Sequence, residues 1–165
     1  MPVHLRVEGS SPGVEEARVA ARRFAGRMLS ALTLEDAELS LLLCDDRVMR
    51  RLNREHRRID RPTDVLAFPM REGRPLVSVR DTLGDIAISW PTTKRQARSH
   101  GWAADRELCL LLAHGVLHLL GFDHATRRDE RRMMARTHML MAAALCGKRR
   151  GALGVDKRRR ATGTA

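Results

Sequence analysis

The sequence contains few cysteines and no long apolar run, and each shortage excludes a class of protein. Its three cysteines, Cys44, Cys109 and Cys146, are far apart and odd in number, so they match neither a disulfide framework nor a paired-cysteine metal site. Their apolar neighbours predict reduced, buried thiols. The chain starts without the apolar core of a signal peptide, and no window offers about 18 uncharged apolar residues. We therefore expect a soluble, cytoplasmic protein with no membrane partner.

Acidic residues are also in short supply relative to basic ones. Lys and Arg number 31 against 20 Asp and Glu, which gives a formal net charge of +11 and a sequence pI near 11.2. Such an excess favours polyanionic partners, nucleic acid above all.

Part of this charge is concentrated at the end of the chain. Residues 147–165 carry seven basic residues against Asp156 alone, a net charge of +6. This segment is rich in Gly, Ala and Arg and has no apolar periodicity, so we expect a disordered tail that adds phosphate affinity without sequence specificity. A solvated tail that only improves solubility is the alternative. With 165 residues, the chain is long enough for one core and too short for two. We expect one domain over residues 1–146 and a basic tail over residues 147–165.

The pattern of apolar residues predicts an α+β domain. Alternation and buried runs predict strands near residues 3–7, 37–44, 64–68 and 85–89, and apolar spacing predicts helices near residues 14–30, 45–55, 91–101, 103–120 and 126–145. Their order favours a single domain in which helices cover a small mixed β-sheet. The helix over residues 103–120 is unusually apolar, which predicts a central helix packed on several sides, with its histidines in the interior. The methionines of the last helix, Met133, Met134, Met139 and Met141, are expected to fill the core.

Three histidines lie close together in the segment HGVLHLLGFDH. His114 and His118 are four residues apart on the central helix, so both imidazoles lie on one face and can reach the same cation. Gly121 can adopt positive φ, end the helix and turn the chain back, so that His124 completes a tripod. An isolated HxxxH pair is often two ordinary side chains, but the third histidine and the apolar surroundings favour a metal site.

The chemistry of three imidazoles predicts one Zn²⁺ per chain. Three neutral histidines leave a fourth position for water, whose pKa zinc lowers to about 7, and this favours a catalytic rather than a structural site. Nickel, cobalt and copper also accept three imidazoles. Asp123 and Glu107 are candidates to orient a ligand imidazole. The alternatives are a turn-capping role for Asp123 and a surface or structural salt bridge for Glu107.

The residue after the first histidine argues against peptide hydrolysis. Zinc proteases with the HExxH motif have a general base there, whereas this sequence has Gly115. Arg57, Arg58 and Arg61 precede a predicted strand and suit a substrate with phosphate oxygens, although each alone is more often a solvated arginine.

Several segments, in this order along the chain, resemble the YbeY family of bacterial endoribonucleases. They are Leu52-Asn53, Arg57, PTDVL at residues 62–66, LGDI at 83–86, Ile88-Ser89 and the histidine segment at 114–124, so the resemblance spans roughly residues 37–145. The chain differs from the family's frequent residues at four positions, with His56 for Tyr, Ile59 for Lys, Ala67 for Ser and Phe122 for Tyr. None of these removes a candidate ligand, but the charge missing at Ile59 can change substrate affinity.

The resemblance implies a metal-dependent endoribonuclease specific for single-stranded RNA. It implies a role in ribosomal RNA maturation, especially near the 3′ end of the small-subunit RNA, and in ribosome quality control, with small-subunit ribosomal proteins as further candidate partners. The family's zinc ligands fall on His114, His118 and His124, and its functional arginine falls on Arg57.

The sequence leaves the route of RNA cleavage and two other functions open. The metal activates water or polarises a phosphoryl oxygen while Arg57 stabilises the transition state, or an RNA 2′-hydroxyl is the nucleophile. The competing functions are a ribosome-assembly factor that binds RNA or ribosomal protein and has a structural metal, and a small zinc peptidase.

Overall fold

The fold was analysed in a computed structural model, which describes residues 3–70 and 81–147. The predicted basic tail, apart from Gly147, lies outside the described residues. None of the helices in the described part of the chain combines the length and the apolar character that a membrane span requires.

The structure confirms the predicted α+β architecture and the predicted order of its elements. The strands are β1 (Val3–Glu8), β2 (Glu38–Cys44), β3 (Val65–Pro69) and β4 (Thr82–Ser89), and the helices are α1 (Val14–Ala31), α2 (Asp46–Arg57), α3 (Trp90–His100), α4 (Ala104–Leu119) and α5 (Arg127–Cys146).

Polar side chains cap three of the helices, α2, α3 and α5, close to where the sequence predicted that they begin. The Asp45 carboxylate accepts a hydrogen bond from the backbone N–H of Val48 at the start of α2. Ser89 does the same for α3, which has Pro91 in its first turn, and Thr126 does so for α5. These local bonds explain why the boundaries could be placed to within about two residues.

The four strands form one mixed sheet in the order β1-β2-β4-β3. Strands β1, β2 and β4 are parallel, and β3 runs antiparallel to β4 at one edge. The central strands β2 and β4 are covered on both faces, which explains their nearly continuous apolar sequences.

Helices cover both faces of the sheet. On one face, Leu39, Leu41 and Leu43 of β2 belong to the main core, which also includes residues of α1, α4 and α5. On the other face, Leu42 and Cys44 pack with α2 in a smaller cluster. Successive strand residues point to opposite faces, so this division follows the alternation expected for a strand.

Helix α4 lies at the centre of the main core. It packs against α1, α3, α5, β3 and β4. Its first turn holds Glu107, which is 1% exposed and accepts hydrogen bonds from Trp102 Nε1 and His100 Nδ1. This network ties the turn between α3 and α4 to the buried end of α4 and satisfies the carboxylate.

Several predicted core positions were wrong. Val19, one of the apolar residues whose spacing predicted helix α1, and Met134 and Met139 in α5 are largely exposed. Met133 and Met141 are buried as expected. Cys44 and Cys109 are buried, but Cys146 is exposed at the end of α5. Apolar character alone does not tell which side of a helix faces the core when apolar residues occur on both sides.

Gly84 in β4 is required by a close approach of the chain, and we expect Gly84→Ala to destabilise the fold by about 3 kcal/mol or more. Its φ is +137°, and an added Cβ would collide with the Phe68 carbonyl oxygen and lie 3.1 Å from Leu119 Cδ2. Gly101 also has positive φ, +73°, but open space around it, so Gly101→Ala is the matched control and should cost about 1–2 kcal/mol. Urea unfolding of both variants measures the difference, and equal losses would contradict the steric explanation.

Candidate metal centre

Helix α4 places two imidazoles on one side, where the helix leaves the core. His114 and His118 are half-buried, and their Nε2 atoms are 3.0 Å apart. Their ring centroids are separated by 4.5 Å, as expected for residues four apart on a helix.

The position of these rings follows from how α4 packs on the sheet. Gly115, the residue after His114, lies against Ile86 of β4, and a Cβ there would be only 3.0–3.3 Å from Ile86 side-chain atoms. The side of α4 that carries position 115 therefore presses on the sheet, and there is no room for the glutamate of an HExxH motif. Close packing at position 115 therefore explains why this helix has glycine there and not the general base of a zinc protease.

A glycine turn brings the third histidine back toward the first two. Gly121 has a φ of +87°, its N–H donates to the His118 carbonyl, and the Phe122 N–H donates to the Leu117 carbonyl. This pair of bonds is the Schellman arrangement that ends many helices. The His124 ring consequently lies 6.0 Å from that of His114 and 5.4 Å from that of His118, between centroids.

The three histidines fit a single metal ion. One nitrogen from each ring lies within 4.8 Å of the other two, and tetrahedral zinc with nitrogen ligands at about 2.0–2.1 Å needs nitrogens roughly 3.3 Å apart. Burial lowers the pKa values of His114 and His118, and the neighbouring imidazoles lower them further. The lowered pKa values favour the neutral imidazole, which is the form that binds a metal.

The two acidic neighbours differ in their roles. Asp123 Oδ1 accepts a hydrogen bond from the His124 backbone N–H at 2.7 Å and is 3.9 Å from the His124 Nδ1, so it stabilises the turn. The carboxylate of Glu107 bonds to His100 and Trp102, so the idea that it orients a ligand imidazole was wrong. Its role is structural, and its contact with His100 is a salt bridge only when that histidine is protonated.

The histidines open into a cleft of about 580 Å³ along the edge of the sheet. Arg57 and Arg61 line it together with all three histidines, whereas Arg58 does not. Arg58 instead caps the end of α2 in a left-handed conformation. Arg57 is close enough to contribute to the lowered pKa of His118. The cleft therefore combines three nitrogen ligands with two exposed guanidinium groups.

Two further polar residues of the cleft could not be assigned from the sequence pattern alone. Asn53 is 3% exposed, and its Nδ2 donates to the Arg61 carbonyl at 2.8 Å, which holds the loop after α2 in place. Asp64 faces the cleft and accepts a hydrogen bond from Gln96 Nε2 at 3.1 Å. The sequence did contain a signal for Asn53, because an asparagine on the apolar side of a predicted helix is expected to have a structural or functional role.

Comparison with known protein families gives a match over most of the chain. The family model described as Endoribonuclease YbeY matches residues 12–144. The match begins well before residue 37, where the resemblance in the motifs began, so it includes α1.

Individual relatives show the same similarity. The chain is 44% identical over 162 residues to a protein named Endoribonuclease YbeY from Anaeromyxobacter dehalogenans, covering 94% of this chain and 82% of that one. It is 40% identical over 140 residues to a protein of the same name from Syntrophotalea carbinolica, covering 84% and 93% respectively. A solution structure of a Thermotoga maritima protein has a similar fold, with a TM-score of 0.60 at 22% identity over 87% of this chain and 90% of that one.

We expect Gly121 to be needed only for its positive φ, and not because a side chain would lack space. No atom lies within 4 Å of an added Cβ at Gly121, so Gly121→Ala is expected to lose about 1–2 kcal/mol of unfolding free energy through its positive φ. Gly121→Asn should lose less, because asparagine tolerates this conformation better. Urea unfolding of metal-free protein measures both, and an alanine variant as stable as the parent would contradict the prediction.

Proposed function

The chain belongs to the YbeY family of endoribonucleases, and from that premise we propose that it is a zinc-dependent endoribonuclease that cleaves single-stranded ribosomal RNA. The observation that carries the proposal is the convergence of His114, His118 and His124 with Arg57 in one open cleft. Imidazoles hold the metal and a guanidinium binds phosphate, so both requirements of phosphodiester cleavage are met at one place.

The three histidines are proposed to hold one Zn²⁺ per chain. When bound, zinc supplies Lewis acidity to a phosphoryl oxygen or to water. His114 and His118 are positioned by the packing of α4, and His124 is positioned by the Gly121 turn. Ligands held by rigid elements need little reorganisation when the substrate binds.

Arg57 is the proposed catalytic residue. It lines the cleft in the last turn of α2, and its side chain forms no hydrogen bond or ion pair within the described residues. Its guanidinium is therefore free to donate to the non-bridging phosphate oxygens, which gain negative charge in the transition state. The nucleophile is water or the RNA 2′-hydroxyl, and a cyclic phosphate product would exclude direct water attack as the only step.

The proposed biological role is maturation of ribosomal RNA near the 3′ end of the small-subunit RNA, and ribosome quality control. The net charge of +11 supports binding to a polyanion. This role implies a cytoplasmic site of action and contacts with small-subunit ribosomal proteins. A peptidase function lacks support, because Gly115 packs on Ile86 at the position of the protease general base.

We expect purified protein to contain about one zinc per chain and to cut single-stranded ribosomal RNA, and His118→Ala to lose both properties. His138→Ala is the matched control, because His138 is exposed on α5 and does not line the cleft. Elemental analysis and cleavage of a labelled RNA fragment give the two measurements.

The two measurements also separate the competing functions. Bound zinc without RNA cleavage would favour an assembly factor with a structural metal, whereas peptide turnover would favour a peptidase. If the wild-type protein binds no metal, the proposal of a metal-dependent nuclease is wrong.

Arg57→Ala is expected to lower kcat for RNA cleavage by about 10²–10³-fold without changing the zinc content, since its loss removes one donor to the transition state. Arg98→Ala, an exposed arginine in the last turn of α3, carries the same change in charge and should retain activity. Single-turnover kinetics at saturating protein isolates this step. An equal loss in both variants would show that total charge, rather than the position of Arg57, matters.

A further inference from the structure

Helix α2 carries a row of arginines that continues away from the cleft. Arg47, Arg50, Arg51 and Arg54, named here the arginine face, are spaced at three and four residues and therefore lie on one side of the helix. Arg57 follows three residues after Arg54, so the row leads into the cleft. From Arg47 to Arg57 the helix rises about 15 Å.

The arginine face lines a depression of its own. All four arginines border a concave surface of about 560 Å³, together with Glu8 and Gly9 at the end of β1. The helix begins near β1 at one edge of the sheet, and its end reaches β3 at the other edge, where the His56 and Phe68 rings are 4.7 Å apart. The row of arginines thus crosses the sheet and connects this depression with the cleft.

Acidic partners neutralise the arginine face only in part. Arg50 forms a forked pair with Asp60 at 2.9 Å, Arg51 contacts Glu8 at 2.8 Å, and Arg54 lies 3.9 Å from Asp60. Each of these side chains is about half exposed, and exposed ion pairs contribute only about 0–1 kcal/mol.

The face therefore keeps a positive charge that a ligand can use. Within the described residues Arg47 forms no ion pair, and the close partners of the other three arginines are two carboxylates, Glu8 and Asp60. Glu55 adds a weaker attraction at Arg51, so four arginines outnumber three nearby carboxylates. Phosphate groups can compete for the paired guanidinium groups as well, because the pairs are weak and accessible.

We propose that the arginine face is a binding track for the phosphate backbone of single-stranded nucleic acid, which guides a strand along α2 into the catalytic cleft. The inference extends the proposed function: the cleft cuts one phosphodiester, and the track holds the nucleotides to one side of it. Guanidinium groups bind phosphates without reading bases, so the track adds affinity and salt dependence but no sequence preference.

The test compares two double variants of the full-length protein with the same net charge. Arg47→Gln/Arg54→Gln removes two arginines of the face and leaves the close Arg50–Asp60 and Arg51–Glu8 pairs intact. The control, Arg22→Gln/Arg98→Gln, removes two exposed arginines on α1 and α3. Binding of a labelled 2′-O-methyl RNA of 16 nucleotides, measured by fluorescence anisotropy at several salt concentrations, avoids cleavage through the 2′-hydroxyl.

For the face variant, the slope of log K against log salt should fall in magnitude by about 1.4, which corresponds to two lost phosphate contacts at about 0.7 each. The control should keep the wild-type slope. A dinucleotide, which is too short to extend from the cleft along the arginine face, should bind both variants as it binds the wild type. Equal slopes for the two double variants would overturn the track. That result would also be expected if the arginine face binds an acidic protein rather than RNA.

A cleavage experiment separates this inference from the proposed function. On a long single-stranded RNA, the face variant should raise KM and leave kcat unchanged. If the wild type cuts RNA and both double variants have the same KM, the nuclease stands and the track fails. If the slope difference is found but the wild type does not cut RNA, the track stands and the nuclease fails.

Discussion

Gly115 of helix α4 lies directly against Ile86 of strand β4, where even a methyl group would be 3.0–3.3 Å from the isoleucine. A glycine inside a helix costs about 1 kcal/mol relative to alanine, and here the close packing of helix on sheet offsets that cost. This contact sets the depth and rotation of α4. With one side of the helix pressed on the sheet, His114 and His118 emerge beside the edge strand β3, and the cleft forms there.

The electrostatics of the cleft follow from its neutral ligands. Three imidazoles, two of them with pKa values lowered by burial, leave the charge of a bound divalent cation uncompensated. Arg57 and Arg61 add positive charge, and the lining also holds two carboxylates, Asp64 near His114 and Asp123 near His118. The charge of the bound cation is therefore left over for the substrate. Such a site is suited to an anionic substrate. Peptide hydrolysis would need a general base that the position after His114 does not provide, and it would make no use of the arginines.

The two sides of helix α2 have different partners. Its apolar side, with Val48 and Met49, packs on the sheet face opposite to α4. Its other side carries the arginine face and ends at Arg57. The buried Asn53 holds the Arg61 carbonyl and so fixes the loop that completes the cleft. One short helix therefore gives the site an arginine on a rigid element and a charged surface that leads to it.

The sequence alone determined the order of the helices and strands and the convergence of the three histidines. Both depend on helical spacing, helix caps and a glycine turn, which are local properties of the chain. Local pattern also made Arg57 and Arg61 candidates, but it did not predict that Asn53 and Asp64 line the same cleft. Only the tertiary structure decided that Arg58 turns away, that Glu107 is buried with Trp102, and that the apolar Val19 faces outward. These outcomes depend on which surfaces pack together, and packing joins residues that are distant in the chain and leave no periodic signal in it.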